Sequence, residues 1–437
     1  MLQSLFDQLH AVCDVPLPNA RSLPGALYQS PEFHQWERQN AFAADWLPVA
    51  HVSQIPEPGD FITVDLLGEP LVAIRDTDGT PRVFSRVCPH RSMDILPPGH
   101  MSGRLTKTAA RAPLPESHGH TRFLQCPYHA WSFELNGRLV ACPEMQHTCN
   151  FDRADHSLRT FATTLWNGFL FVNFDATAPP LAPDLTELHD FLAPWQPEQM
   201  VVVREQDWEC DFDWKVMVEN FSETYHHLGA HHSTLQPLMP AKRNWTEQER
   251  RRYLHSHLPF TDRYAATIQS ALDTGDTTTT FPIQPGLTEA GMTNWHIIIG
   301  YPLFLLLTAP DSWAWYRIDP IAPGKARLTT HLLVPASTRD RPDFPDLLER
   351  EYAKLVAFHL EDMEVCAAVQ RGLQSRTSQP GPLSHLEMPV WLFHRYLAAR
   401  TRHTWPTDDR PAAPSQSPTT LTRTASAELT SPLQPLI

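Results

Sequence analysis

Cys88-Pro89-His90-Arg91 and Cys126-Pro127-Tyr128-His129 each set one thiol and one imidazole close together at the end of a segment patterned as β hairpins. Alternation predicts strands at Phe61–Leu66, Leu71–Arg75 and Arg82–Val87, with a turn at Asp76-Thr77-Asp78-Gly79. It predicts three more at Thr121–Gln125, Trp131–Glu134 and Arg138–Ala141, with a hairpin turn at Asn136-Gly137. The proline after each cysteine stiffens its loop. A zinc finger draws two cysteines from one knuckle and two histidines from elsewhere, whereas here each loop offers one of each. Such a mixture suits a [2Fe-2S] cluster in which two thiolates hold one iron and two neutral imidazoles the other, which raises the reduction potential. A structural zinc site is the competing reading of the same four residues. Cys142 and Cys149, with His147 near, lack the paired spacing and read as ordinary thiols.

The second stretch with chemistry runs from Asp213 to His232, D-W-K-V-M-V-E-N-F-S-E-T-Y-H-H-L-G-A-H-H. Trp214, Met217, Val218, Phe221 and Tyr225 recur at helical spacing and predict a helix anchored in a core. Glu223 and His226 are neighbours on its surface. His226 and His231 can reach one ion only if the helix breaks between them, and Gly229 offers the break. Two histidines need a carboxylate to complete a facial triad for ferrous iron with open positions for dioxygen and substrate. In a helix predicted over 344–373, Leu355, His359, Asp362, Cys366 and Val369 share a face, so Asp362 stands on a mostly apolar stripe. A carboxylate there needs a partner, either a metal or a lysine or backbone amide. Glu361 and Glu364 are expected to stay solvated, and His227 and His232 remain alternates to His226 and His231.

Taken together, these motifs resemble the Rieske non-haem iron oxygenases, specifically their ring-hydroxylating α subunits. C-P-H-R and C-P-Y-H-x-W are similar to the family's cluster loops, E-N-F-x-E-x-Y-H-x-x-x-x-H to its iron motif, and E-D-x-x-x-C-x-x-V-Q-R-G-L around Asp362 to the stretch supplying its third ligand. The resemblance covers roughly Ala41 to Ser375. It implies an α+β chain, with an N-terminal all-β Rieske [2Fe-2S] domain followed by an α+β catalytic domain around a central antiparallel sheet. It implies Cys88, His90, Cys126 and His129 as cluster ligands and His226, His231 and Asp362 as ligands of one mononuclear Fe(II). Glu223, where the family most often has Asp, would carry electrons between the sites by accepting from His226 and from His129 of the partner subunit. The implied activity is a Rieske mono- or dioxygenase that takes electrons from a separate NAD(P)H reductase, alone or with a ferredoxin. The implied assembly is a head-to-tail homotrimer, with or without a small β subunit.

His90 and Cys126 stand 35 residues apart, more than is usual in the family, and the Pro- and Gly-bearing segment 97–120 reads as a surface insertion. The apolar run Ile297–Leu307 is expected to wall the substrate pocket on alternate positions, or else to be sheet core. It favours an apolar or aromatic substrate, as in aromatic hydrocarbon catabolism. The alternative is a monooxygenase demethylating an N-methyl or quaternary amine, which needs an aromatic box or an acidic group in the pocket. From another class comes a Rieske electron-transfer protein without oxygenase turnover.

Composition mainly excludes. Lys and Arg number 35 against 49 Asp and Glu, a net charge of −14, so there is no basic field for nucleic acid or an anionic membrane surface. The longest apolar stretch, Ile297–Ala309, is interrupted by Gly300 and Pro302 and is too short to span a bilayer. The N-terminal residues carry no export pattern, which makes the cytoplasm the expected location. Seven cysteines do not make a disulfide framework. No G-x-G pattern occurs, so a nicotinamide or flavin belongs on another protein. At 437 residues, two or three folded units are expected. They are a loosely specified arm over 1–40, the Rieske domain over 41–175, the catalytic domain over 176–400, and a disordered tail over 401–437 that is rich in Pro, Ser and Thr.

Overall fold

The computed structural model describes residues 2–96, 117–247 and 252–405. Most of the expected insertion (97–116) and most of the tail (406–437) lie outside the described residues.

The expected meander is β2 (Asp60–Leu66), β3 (Glu69–Arg75) and β4 (Pro81–Ser85). The sheet has the order β4-β3-β2-β5, where β5 is His118–His120. A second small sheet joins β6 (Leu124–Gln125), β7 (Ser132–Phe133) and β8 (Leu139–Ala141), and a third joins β1 (Leu47–His51) to the hairpin of β9 (Ala162–Trp166) and β10 (Phe169–Asn173). Alternation along the meander serves two cores. Phe61, Val72, Ile74 and Phe84 pack with Leu124, Trp131 and Phe133 around Cys88 and Cys126, while Ile62, Val64, Leu71 and Ala73 face the larger core. Residues 118–120 are therefore strand, not surface loop. His118-Gly119-His120 has no apolar alternation to announce it, but β2 supplies the backbone partner, and a Cβ on Gly119 would come within 2.4 Å of the Phe61 ring. The β9–β10 turn at Asn167-Gly168 has positive φ at both residues, as a tight hairpin requires; at 136–137 only Gly137 does.

The expected arm is helical: α1 (Leu2–Cys13), α2 (Ala26–Gln29) and α3 (Pro31–Glu37). Leu5, Leu9 and Val12 form one buried stripe of α1, and Phe33 is fully buried. The spacing was present in the sequence, but its partner is the far end of the chain.

The central antiparallel sheet has seven strands in the order β11-β17-β16-β15-β14-β13-β12. They are β11 (Met200–Cys210), β12 (Trp245–Thr246), β13 (Tyr253–Pro259), β14 (Asn294–Gly300), β15 (Phe304–Thr308), β16 (Trp313–Ala322) and β17 (Lys325–Pro335). Helix α4 (Thr186–Leu192) precedes β11; α5 (Trp214–Ser222), α6 (Asp262–Thr274) and the short α7 (Glu289–Thr293) lie between strands, and the short α8 (Ala336–Arg339) follows β17. The chain then runs through α9 (Phe344–Leu373), with the expected bounds, and α10 (Met388–Thr401). Ile297, Ile299 and Leu305 pack with Trp214, Val218, Cys366 and Phe393, whereas Ile298, Phe304 and Leu306 pack with Trp195, Phe169 and Trp315 on the other face. The apolar run is thus mainly sheet core. Past α10, Trp405 is buried against Tyr301 and Tyr396, so residues 401–405 belong to the fold and not to the tail. Among the described residues, no helix is long and apolar enough to cross a membrane.

Candidate functional site

The two cysteine loops repeat one backbone plan. The N–H of Cys88 donates to the Met93 carbonyl at 2.8 Å, and its carbonyl accepts from Ser92 N–H at 3.0 Å. The N–H of Cys126 likewise donates to Trp131 at 2.8 Å, and its carbonyl accepts from Ala130 at 3.1 Å. Ser92 and Ala130, each four residues past its cysteine, take φ of 57° and 59°. At the loop tips the His90 and His129 rings lie 4.7 Å apart, Trp131 stacks on His90 at 4.8 Å, and the Arg91 guanidinium covers Tyr128. The free thiols are buried and hydrogen-bonded to one another, and burial, with Cys126 adding to it, pushes the Cys88 thiol up to about 11. Iron ligation would remove that proton outright. His129 Nδ1 is buried with no hydrogen-bond partner, as befits a nitrogen kept for a metal. Two thiols and two imidazoles on matched loops fit a Rieske cluster.

In the second half, α5 stops at Ser222, because Glu223 turns to an extended backbone (φ −127°, ψ 169°) and a short turn, Tyr225–Leu228, follows. The helix breaks at Glu223 and not at Gly229, and Tyr225 is exposed instead of extending the buried stripe. The physical reason is the Glu223 side chain. It accepts the backbone N–H groups of Tyr225 and His226 and so stabilises a new turn in place of helix.

The break swings both histidines onto one point. His226 Nδ1 donates to Glu223 Oε1 at 2.8 Å and His231 Nδ1 to Glu361 Oε2 at 2.6 Å. With hydrogen on each Nδ1, the Nε2 atoms face Asp362 Oδ1 at 3.5 and 2.9 Å. One ligand atom from each of His226, His231 and Asp362 lies within 4.8 Å of the others. Asp362 faces inward on α9 with His359, Cys366 and Gln370, but Val369 is exposed and not part of that stripe. Burial alone would raise the Asp362 carboxyl; the hydrogen bond from His231 and the field of both imidazoles hold it below the usual carboxylate range. The donor set of two imidazoles and one carboxylate fits a mononuclear Fe(II).

Glu361 is not solvated as expected: it orients His231 and accepts from Thr234 Oγ1 at 2.7 Å. Glu364 is exposed. His227 turns Nδ1 to the Met239 carbonyl at 3.3 Å, and His232 is exposed, so neither joins the triad. Asn220, whose side chain bonds Asp362, and Glu361 are site residues that sequence reasoning missed. Their only signal was adjacency to the ligand motifs.

Beside the triad a cavity of ≈ 380 Å³ opens, with Phe358 on its wall 6.3 Å from the His231 ring. Tyr264, Phe281, Trp295 and Trp313 supply further aromatic lining, and Leu307 is the sole residue of the Ile297–Leu307 run there. Asp311 also lines it, accepting from Phe281 N–H at 3.0 Å and Ser312 Oγ at 2.9 Å, with no ion pair to a basic residue among the described residues. Desolvation, with Glu351 adding to it, pushes this carboxyl up to about 6.

Comparison with known proteins matches residues 45–161 to the Rieske [2Fe-2S] domain and residues 197–403 to the ring hydroxylating alpha subunit catalytic domain. The chain belongs to the ring-hydroxylating α-subunit family of Rieske oxygenases. A similar relative is the glycine betaine monooxygenase oxygenase subunit of Chromohalobacter salexigens, 27% identical over 395 residues that cover 83% of this chain and 82% of that one. Another is the carnitine monooxygenase oxygenase subunit of Acinetobacter pittii, 27% identical over 365 residues, 82% of this chain and 86% of that one. The solved structure of a quaternary ammonium Rieske monooxygenase in complex with an inhibitor has a similar fold, with a TM-score of 0.72, 22% identity, and coverage of 90% of this chain and 98% of that one. The oxygenase is a Rieske non-haem iron mono- or dioxygenase, with a [2Fe-2S] cluster and a mononuclear iron as its cofactors. It uses O2, an organic substrate and a reductase partner.

Proposed function

We propose that this oxygenase is a monooxygenase acting on a quaternary or N-methyl ammonium compound. The observation that carries the reading is Asp311, a desolvated carboxylate without a basic partner among the described residues, set among aromatic rings in the cavity beside the triad. Aromatic faces attract an ammonium head, and a permanent cation would balance the carboxylate without donating a proton. A neutral hydrocarbon, which the apolar walls alone favoured, would leave the Asp311 charge held only by its hydrogen bonds from Phe281 and Ser312. The glycine betaine and carnitine relatives support the same choice.

In this reading Cys88, His90, Cys126 and His129 hold the cluster, and His226, His231 and Asp362 hold the iron. When bound, these groups supply single electrons and activate O2. The chain's own part is to orient and exclude. Glu223 and Glu361 fix the tautomers of the two histidines, the aromatic wall keeps water from the ammonium methyl groups, and Asp311 anchors the head. One oxygen atom enters a C–H bond beside nitrogen and the other leaves as water, with two electrons from NAD(P)H. The resulting carbinol separates into an amine and an aldehyde. The working assembly is a homotrimer in which Glu223 links His226 to His129 of the partner subunit, fed by a reductase with or without a ferredoxin.

The test supplies the reconstituted oxygenase with trimethylammonium acids and, separately, with neutral bicyclic aromatics. Aldehyde and amine release coupled to NAD(P)H oxidation is expected only from the first group. Diol formation from the second, with no amine released from the first, would overturn the reading.

A further inference from the structure

The sheet carries a second imidazole cluster on the face turned away from the iron. His255 and His257 alternate along β13 and so project to the same side, and His296 on β14 is the direct cross-strand partner of His257. That side also carries Ile298 of the second core, whereas Trp295, of opposite parity, faces the cavity beside the iron triad. All three rings are buried, at 2%, 5% and 0% exposure, and one nitrogen from each lies within 4.8 Å of the others. Glu247 Oε1 stands 3.0 Å from His255 Nδ1 and 3.2 Å from His257 Nε2. Trp245 stacks on His257 at 3.8 Å, and Phe191 of α4 packs edge-on against His255 and His296.

Hydrogen placement makes the cluster more than a packing feature. His296 Nε2 donates to the Ala290 carbonyl at 3.2 Å, which leaves Nδ1 bare and facing His255 Nε2, also at 3.2 Å. A backbone carbonyl on the spare nitrogen is the usual way a ligating imidazole is oriented. If neutral His255 donates to His296, its bare Nδ1 faces the Glu247 carboxylate. If it donates to Glu247 instead, two bare nitrogens face each other. With His255 donating to Glu247, a cation between His255 Nε2 and His296 Nδ1 removes the remaining conflict. One nitrogen of His257 completes a three-imidazole donor set suited to zinc, with Glu247 orienting His255 and His257 from their far nitrogens.

We infer that His255, His257 and His296, oriented by Glu247 and the Ala290 carbonyl, form a second metal site, separate from the iron triad, that takes a zinc-class divalent ion. The ion would tie β13 to β14, the strands that carry its three ligands.

Oxygenase loaded with its cluster and iron is dialysed against zinc and its metals are counted by mass spectrometry. Wild type and Asp362→Ala should both take up about one zinc per chain without losing cluster iron. In His257→Gln and in Glu247→Gln the affinity should fall about tenfold or more. No uptake by wild type, equal uptake by the His257→Gln protein, or uptake that disappears with Asp362→Ala would each overturn the inference. Should His257→Gln not fold, anomalous diffraction at the zinc edge from wild-type crystals decides it. A peak among the three rings supports the site, and its absence there overturns it.

Discussion

Glu361 Oε2 accepts from His231 Nδ1 at 2.6 Å, while Nε2 of the same ring faces Asp362 at 2.9 Å. Neighbouring acids on α9 thus grip one imidazole from both ends, one orienting it and one sharing its target. Glu361→Ala is expected to weaken the mononuclear iron about 10- to 100-fold, the effect typical of losing a ligand's hydrogen-bond partner. Iron retention against a chelator measures this, with the cluster's visible and EPR spectra unchanged.

Glu223 has a different task, since its carboxylate holds both the His226 ring and the turn that carries it. Glu223→Gln retains size and an acceptor oxygen but loses the charge. Single-turnover oxidation of the reduced cluster should slow by about tenfold or more with both metal contents preserved. An unchanged rate would remove Glu223 from the electron path.

Asp311 gives the enzyme a pH signature. Its carboxyl titrates near 6 in the folded chain, so it is anionic above that value and neutral below it. KM for an ammonium substrate should rise as pH falls through about 6, whereas in Asp311→Asn it should be high and flat. The difference at neutral pH should be about tenfold or more, since a carboxylate near a cation at an effective dielectric near 20 contributes at least ~1.4 kcal/mol. Stability runs the other way. The folded state binds this proton more tightly than the unfolded one, so stability is lost as pH climbs from the ordinary carboxylate range to about 6. Denaturation of the substrate-free Asn variant should lack that loss.

Lys215 is buried between Glu37 Oε1 at 2.8 Å and Asp213 Oδ1 at 2.7 Å, joining α3 to the start of α5. Lys215→Met would leave two carboxylates without their cation. A loss of about 3–5 kcal/mol is expected from the denaturant midpoint.

The candidate metal-binding residues stood out in the sequence because metal chemistry narrows residue type and spacing together. His226, His231 and Asp362 do converge, and α9 has the bounds its periodicity predicted. What escaped depends on partners far along the chain. Glu361 looked solvated because a helix face says nothing of the turn holding Thr234 and His231 against it. Asp311 sits between β15 and β16 in a two-strand connection that has no motif. His296 meets His257 only through strand register, and the 3.6-residue rhythm of Leu5, Leu9 and Val12 pointed to no partner until α10 was placed.

The first helices also bear on how portable the parts of this protein are. The match to the Rieske domain begins at residue 45, yet Phe33 and Phe42 are wholly buried in the larger core. His10 reaches Thr401 Oγ1 at 2.7 Å, and Trp391 Nε1 donates to the carbonyls of Cys13 and Val15 at 3.2 and 3.0 Å. The opening and closing helices therefore fasten to each other. A half excised at the edges of its recognisable motif would be parted from these helices and from the larger core that Ile62, Val64, Leu71 and Ala73 face, so the electron-storing portion is not a cassette that lifts out intact.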